Sequence, residues 1–207
     1  MTPRDADIIL VQGKGWLSEA IRWAQREPGE PAVFNHVGLV FTMHTHLQAG
    51  LDEIGCEIPS EWVGQPCVIE AQWRVAISPW DEFKAGHESF ALARTSELSF
   101  VGAERIVRHA LTYAAQPYSV TRLLAQGYEK LTGEPVTLRF GPGHVICSAL
   151  IALPYWVELG TRFEGKHWRR CTPDDIGDHA QKSKCWETVE EKALESRMTQ
   201  PEIPNLL

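Results

Sequence analysis

Long hydrophobic runs, a basic leader and blocks of like charge are all missing from this sequence. No apolar stretch approaches the roughly 18 residues that a membrane-spanning helix needs, and residues 1–7 lack the charged-then-apolar pattern of a secretory signal. We therefore expect a cytoplasmic protein without a transmembrane segment. The formal net charge is −7, with acidic and basic side chains interleaved, which argues against nucleic acid or an anionic membrane as the principal partner.

The sequence contains few cysteines, and their positions match no disulfide or metal-binding pattern. The five cysteines, at positions 56, 67, 147, 171 and 185, are odd in number and scattered, which fits neither a disulfide scaffold nor paired C-x-x-C metal knuckles. Four side chains are of types that can bind a metal ion, namely those of His44, His46, Cys56 and Cys67. Their spacing is not that of a zinc motif. We expect no metal and no cofactor, and solvent-exposed positions for the two histidines.

Linkers rich in Pro, Gly or Ser, internal repeats and low-complexity tracts are also missing, which favours one domain. We assign residues 1–185 to this domain and residues 186–207 to a polar C-terminal tail. Residues 45–65 show no period and predict a loop. Apolar patterns predict strands at 7–11, 35–43, 67–72, 73–77 and 89–94, and helices at 16–25, 99–116, 118–131, 147–158 and from 172. Strands before helices indicate an α+β fold, with a mainly antiparallel sheet packed against helices.

One cysteine lies at the start of a predicted helix. Cys147 is followed by Ser148 and the apolar run 149–153, while Pro154 is expected to kink this helix or end it early. The free N–H groups of a first helical turn concentrate partial positive charge, which stabilises a thiolate. Cys147 is therefore a candidate nucleophile, although a buried cysteine is more often inert packing.

A histidine on a predicted strand is the candidate base. Strand alternation places His36 and Gly38 on one face, where the glycine leaves room beside the imidazole. Glu70 is an acid in an otherwise apolar strand, and it either faces solvent or orients the imidazole if the two strands pair. His144, three residues before Cys147, is a rival base. Taken singly, each of these residues more often has a structural role.

Short motifs follow one another along residues 6 to 180. They are Ala-Asp-Ile-Ile-Leu-Val at 6–11, Ser-x-x-Ile at 18–21, Asn-His-Val-Gly-Leu-Val at 35–40, Val-Ile-Glu-Ala at 68–71, Pro-Tyr at 117–118, Cys-Ser-Ala-Leu at 147–150 and Thr-Pro-Asp-Asp at 172–175. This series resembles the circularly permuted, YiiX-like branch of the NlpC-type papain-like cysteine peptidases, in which the histidine strand precedes the cysteine helix. Ala149, where relatives often carry an acid, and the insertion at 45–65 depart from the pattern and leave the substrate open.

The resemblance implies a papain-like α+β fold of the permuted NlpC type. It implies Cys147 as the nucleophile, His36 as general base and then general acid, and Glu70 as the third member of a triad. The backbone N–H of Cys147 would contribute to an oxyanion hole. The residues that we expect to contact the substrate are Tyr118, Asn35 and Ser148.

We expect a cysteine hydrolase that cleaves a peptide-type amide bond through a thioester on Cys147, acting on a small peptide, amide or acyl ester. The alternative is an acyltransferase or lipid ester hydrolase, as in the lecithin:retinol acyltransferase-like relatives with the same permuted order. Eight tryptophans keep this alternative open, because some could line an acyl-binding groove. A catalytically silent binding module on the same fold is the third interpretation.

Overall fold

The computed structural model describes residues 2–25, 31–119, 128, 132 and 145–192. Its strands are β1 (Ile8–Val11), β2 (His36–Thr42), β3 (Pro66–Ala71), β4 (Val75–Pro79), β5 (Phe90–Thr95) and β6 (Trp186–Lys192). They form one sheet in the order β4-β3-β2-β1-β5-β6, and every neighbouring pair is antiparallel. The mainly antiparallel sheet expected from the sequence is confirmed.

Six described helices accompany the sheet. They are α1 (Trp16–Gln25), α2 (Thr45–Glu53), α3 (Trp80–Gly86), α4 (Phe100–Leu111), α5 (Cys147–Leu159) and α6 (Pro173–Lys182). Two of them begin at side-chain caps. The Ser99 hydroxyl accepts from the Gly102 N–H, and Thr172 and Asp175 form a reciprocal capping box. The structure is therefore α+β.

The central strand β1 is buried on both faces, which explains its unbroken apolar sequence. Ile8 and Leu10 belong to the larger apolar layer, which contains residues of α4 and α5. Ile9 and Val11 belong to the smaller layer, which includes Trp80 and Phe83 of α3. The sheet thus lies between two apolar layers, with α5 on the larger one.

Helix α5 is held against the sheet along its length. It packs against α4 and β2. The hydroxyl of its fully buried Tyr155 donates to the carbonyl of Ala6, one residue before the buried Asp7 that precedes β1. Asp7 in turn accepts two hydrogen bonds from the Arg94 guanidinium, at 2.8 and 2.6 Å. These contacts fix the direction in which the first turn of α5 points.

Three segments contain regular structure that the sequence did not predict. Helix α2 lies in the predicted loop 45–65, because only Leu47 and Leu51 of this helix reach the core and two apolar residues give too weak a period. Helix α3 was not predicted; it starts after Pro79 and stacks Trp80 on Phe83. Residues 186–192, assigned to the tail, form β6 beside β5, so the sheet continues past our boundary at residue 185.

The predicted helix ends also differ from those observed. Helix α5 continues through Pro154 to Leu159, so it does not end early there. Helix α4 ends at Leu111 rather than at 116. Tyr118 forms a parallel bridge with Val145 instead of starting a helix. The rest of the predicted helix at 118–131, apart from single positions, lies outside the described residues, as do residues 193–207 of the predicted tail and His144.

Candidate active site

The sulfur of Cys147 lies at the first residue of α5. The preceding residue, Ile146, is extended and supplies no side-chain cap, so no capping oxygen competes for the amide groups of the first turn. Cys147 is 6% exposed. The local sequence thus leaves a thiol beside backbone donors with partial positive charge, as expected from its position at a loop-to-helix junction.

His36 is the first residue of β2, and its side chain reaches Glu70 of β3. The His36 Nε2–H donates to Glu70 Oε2 at 2.7 Å, in surroundings where the two side chains are 15% and 9% exposed. The carboxylate accepts at Nε2 and so fixes the tautomer of the ring. The conditional expectation that the two strands pair is confirmed by the β2–β3 register.

The register explains how the carboxylate reaches the imidazole. Glu70 lies opposite Gly38, two residues along β2 from His36, so the pair is a diagonal one on one face of the sheet. A Cβ at Gly38 would lie 3.5 Å from the Cβ of Glu70 and 3.2 Å from a methyl group of Val68. The glycine is therefore what allows the acid to lean across β2.

Glu70 is held on both of its oxygens. While Oε2 accepts from His36, Oε1 accepts from the Gln72 side-chain amide at 2.9 Å. Burial acts to raise the pKa of Glu70, but the hydrogen bond and charge of His36, the charge of His87 and the Gln72 amide together hold that pKa below its usual value. The carboxylate is thus ionised and oriented. Gln72 was not singled out from the sequence, although its spacing of two from Glu70 in a strand is the signal that indicates a shared face.

The Cys147 side chain lies near enough to the His36 ring for its charge and its hydrogen-bonding capacity to act on the imidazole. Since Nε2 is engaged by Glu70, Nδ1 is the nitrogen left for the sulfur. Burial alone would lower the pKa of His36, but the hydrogen bonds with Cys147 and Glu70 and the negative charges of both groups raise it to about 10. The arrangement therefore favours an imidazolium that is paired with the Glu70 carboxylate and lies beside the Cys147 sulfur.

Tyr118 approaches the Cys147 sulfur from the segment that forms a bridge with Val145. Its hydroxyl hydrogen-bonds with Cys147, and burial first, then the charge and hydrogen bond of Cys147, raise its pKa well above the usual range. The backbone holds it in place, because its N–H donates to the Trp73 carbonyl at 3.1 Å and its strand bridges Val145. Tyr118 thus stays protonated and donates towards the sulfur.

Asn35 and Ser148 lie next to the site but are enclosed. The Asn35 side chain accepts from the Gly13 N–H at 2.6 Å, which ties the loop after β1 to the start of β2. Ser148 is fully buried, and its hydroxyl has no hydrogen-bond partner among the described residues. Asn35 is 7% exposed. Their assignment to substrate binding stays a prediction.

The remaining cysteines lie in less reactive surroundings. Burial raises the pKa of Cys67 to about 11, and it also raises that of Cys171 well above its usual value. Burial also raises the pKa of Cys56, and a hydrogen bond with Glu97, followed by burial, raises that of Cys185. Cys147 differs from these four thiols in lying beside an imidazole ring.

Comparison with known proteins finds a solved structure with a similar fold. No protein-family model matches this chain, and no curated protein does. Among solved structures, the chain is similar to one described as the metalloprotein YiiX from Escherichia coli O157:H7, with 15% sequence identity and a TM-score of 0.59. The match covers 92% of this chain and 98% of that chain. At this identity the likeness shows a shared fold, and the permuted NlpC-type assignment stays a prediction.

The three site residues do not fit a shared metal ion. The His36 ring lies between Cys147 and Glu70 with a different nitrogen towards each, so the sulfur and carboxylate donors do not converge on one point. Elsewhere in the described part of the chain, no three His, Cys, Asp or Glu side chains are grouped as metal ligands. His44 and His46 are exposed, as expected, and stack with ring centroids 5.7 Å apart at the start of α2.

None of the described helices has the length and apolar character needed to cross a bilayer.

Proposed function

We propose that this protein is a cysteine hydrolase that cleaves a peptide-type amide bond through a thioester on Cys147. The observation that carries the proposal is that Cys147, at the start of α5, lies beside the His36 ring, whose Nε2–H donates to Glu70 at 2.7 Å. A thiol in contact with an imidazole, which is oriented by a third group, is the arrangement that nucleophilic catalysis requires. The resemblance to permuted NlpC-type papain-like peptidases agrees with these roles.

The reaction follows from the charges of the site. The Cys147 thiolate attacks the amide carbonyl carbon, and the resulting oxyanion is stabilised by the Cys147 N–H at the helix N-terminus. His36 then donates its proton to the leaving nitrogen as the C–N bond breaks, which leaves a thioester. A water molecule gives a proton to His36 and attacks the thioester, and the C–S bond breaks to release a carboxylic acid. Glu70 keeps the ring in position throughout.

Tyr118 and Gln72 complete this assignment. The Tyr118 hydroxyl is placed to stabilise the thiolate and to contact an acyl group that is bound to the sulfur. Gln72 supports the reaction indirectly, because its amide holds the second oxygen of Glu70. We assign Tyr118 to the catalytic site and Gln72 to a positioning role. We further propose that residues up to 192 belong to one domain.

The alternative substrate is an acyl ester or lipid, and the surface near the site favours it as a second candidate. Trp73, in the turn that joins β3 to β4, is 79% exposed, and its carbonyl accepts from Tyr118. Trp16, at the start of α1, is 80% exposed and follows the loop that Asn35 ties to β2. Exposed indole rings on segments that adjoin the site residues suit a substrate with an apolar chain.

Intact-mass analysis of the purified protein, incubated with a panel of activated acyl esters and peptide anilides, tests the proposal. We expect an acyl adduct on Cys147 and repeated release of product from one substrate class. Cys147→Ala should form no adduct, whereas the matched variant Cys56→Ser should behave as the parent protein. Repeated turnover of anilides supports the peptidase, and turnover of long-chain esters alone supports the lipid alternative. If the protein is folded but forms no adduct with any compound of the panel, the catalytically silent binding module is the interpretation that remains.

A further inference from the structure

A basic and aromatic segment lies between α5 and α6. Residues 161–172 hold four cationic side chains and a single carboxylate, in a chain whose net charge is −7. The carboxylate, Glu164, is already engaged by Lys182 at 3.1 Å, and the cation Lys166 is engaged by Asp175 at 2.6 Å. The three arginines of the segment therefore dominate its surface charge. They are Arg162, Arg169 and Arg170.

A tight turn gathers these arginines around His167. The Arg170 N–H donates to the His167 carbonyl at 2.8 Å, and the Arg169 N–H donates to His167 Nδ1 at 3.3 Å. Because Nδ1 is an acceptor, the neutral ring carries its hydrogen on Nε2 and presents a donor outward. We call the five residues Arg162, His167, Trp168, Arg169 and Arg170 the basic turn.

Aromatic contacts hold the basic turn in shape. The His167 ring lies 5.6 Å from the Trp156 ring of α5 and 5.5 Å from the Trp168 ring, centroid to centroid. The Arg169 guanidinium lies 5.0 Å above the Trp168 ring, a cation–π contact. An imidazole and a guanidinium that already contact aromatic rings have less conformational freedom to lose when a ligand binds, which lowers the entropic cost of binding.

Two positive charges of the basic turn are not compensated by a nearby carboxylate. Arg162 and Arg170 are exposed, and within the part of the chain that the structure describes no carboxylate lies within 4.0 Å of either. Burial and then the charges of Arg169, Arg162 and Arg170 lower the pKa of His167. Like charges held near one ring repel one another, and a multivalent anion would relieve that repulsion.

We propose that the basic turn binds phosphate groups, either of a soluble polyphosphorylated compound or of lipid headgroups. Guanidinium groups match phosphate oxygens in a bidentate manner, and the Nε2–H of His167 adds a directed donor between them. The α5 residue that contacts the basic turn, Trp156, lies about 14 Å along the helix from Cys147 at 1.5 Å per residue. The net charge of the chain is negative, whereas the surface of the basic turn is positively charged.

Calorimetric titration of the full chain with sodium tripolyphosphate tests the soluble source, at an ionic strength of about 50 mM so that screening is modest. Co-sedimentation with vesicles of phosphatidylglycerol and phosphatidylcholine in equal parts, against pure phosphatidylcholine, tests the lipid source. We expect saturable binding to tripolyphosphate, to the anionic vesicles or to both. Arg162→Gln/Arg170→Gln should weaken it at least about tenfold, the loss expected when one or more charge-assisted hydrogen bonds are removed.

The matched control removes two cations that already have carboxylate partners. Lys14 lies 2.6 Å from Glu88, and Arg108 lies 2.9 Å from Glu104. Lys14→Gln/Arg108→Gln should change the binding constant less than about twofold, although its net charge equals that of the test variant. Urea unfolding would show that both double variants are folded. Equal weakening in the two variants, or no binding of the parent protein to either probe, would overturn the proposal.

Discussion

A thiol serves as a nucleophile near neutral pH only where something stabilises its anion. In this protein two features of that kind lie beside the Cys147 sulfur, the His36 ring and the first turn of α5. The other four cysteines have raised pKa values because of burial or acidic neighbours. The difference between the five thiols is therefore electrostatic, and a reagent that reacts with thiolates can measure it.

At the residue scale we expect iodoacetamide at about pH 6 to alkylate Cys147 much faster than the other cysteines, since an unperturbed thiol is almost entirely protonated there. Peptide mass spectrometry over time gives the rate at each position. His36→Asn should slow the reaction at Cys147 and leave Cys56 unchanged. Equal rates at Cys147 and Cys56 in the parent protein would contradict a stabilised thiolate.

The titration of His36 itself gives a second prediction. Its pKa of about 10 depends on two partners that oppose the effect of burial, so Cys147→Ala and Glu70→Gln should each lower it. NMR titration of the imidazole signals from pH 5 to about 11 measures the change. The signals of His109, whose pKa is lowered by burial, serve as an internal control and should stay in place. A His36 signal that titrates at the ordinary value in the parent protein would rule out the ion pair.

The positioning role of Gln72 can be tested with the same NMR signal of the His36 imidazole. Gln72→Ala removes a hydrogen bond to Glu70 without touching the imidazole, so turnover should fall while the stability of the fold changes little. A purely structural residue would alter the urea midpoint and leave the His36 titration alone. We expect the opposite pattern, with a shifted His36 pKa and a nearly unchanged midpoint.

At the scale of elements, the contact between β2 and β3 depends on Gly38. A methyl group there would lie 3.2 Å from Val68 and 3.3 Å from the Ile69 carbonyl, so one strand must move by a few tenths of an ångström. We expect Gly38→Ala to cost about 1–3 kcal/mol in the free energy of unfolding and to reduce turnover, because overpacking displaces Glu70 from His36. Urea denaturation and a rate assay measure the two effects.

Gly50 provides the matched control for that substitution. It lies in α2, and a Cβ at this position would have no atom within 4 Å, so Gly50→Ala should stabilise the protein by about 0.5–1 kcal/mol through helix propensity alone. Turnover should be unaffected. If both alanine variants had the same effect, the close approach at Gly38 would have no special role.

The sequence predicted those elements whose signals are local. Ser99 and Thr172 cap helices because their short polar side chains precede helical patterns, and alternation placed His36 and Gly38 on one face. The sequence did not predict elements whose formation depends on contacts between residues that are distant in the chain. Strand β6 is polar and is a strand because β5 offers it an open edge, and α2 has only Leu47 and Leu51 to mark its buried side.

For the site, sequence reasoning brought Cys147, His36 and Glu70 together only conditionally, since pairing of β2 with β3 is not visible in either strand alone. The contribution of Gln72 and the Asn35–Gly13 contact follow from register and loop geometry, which one sequence does not contain. Tyr118 was placed near the thiol by resemblance, and the bridge to Val145 supplies the physical reason.

At the scale of the whole molecule, the buried carboxylate links stability to pH. The pKa of Glu70 is lowered on folding, so its contribution is present above the ordinary value of 4.5 and is lost as the pH falls through the lower folded value. We expect the difference in unfolding free energy between the parent protein and Glu70→Gln to shrink as the pH falls from about 5 to 3. Urea denaturation at each pH measures it. A difference that is constant over this range would contradict an ionised Glu70 in the folded state.

The bridge between Tyr118 and Val145 has a consequence for how such a protein can diversify. The Ser119 N–H donates to the Val145 carbonyl at 3.0 Å, so the chain departs and returns at one anchored point beside the sulfur. The entropic cost of holding two points of a chain together grows only slowly with the number of residues between them. The pairing of Ser119 with Val145 therefore places few constraints on the length of the chain between these two points.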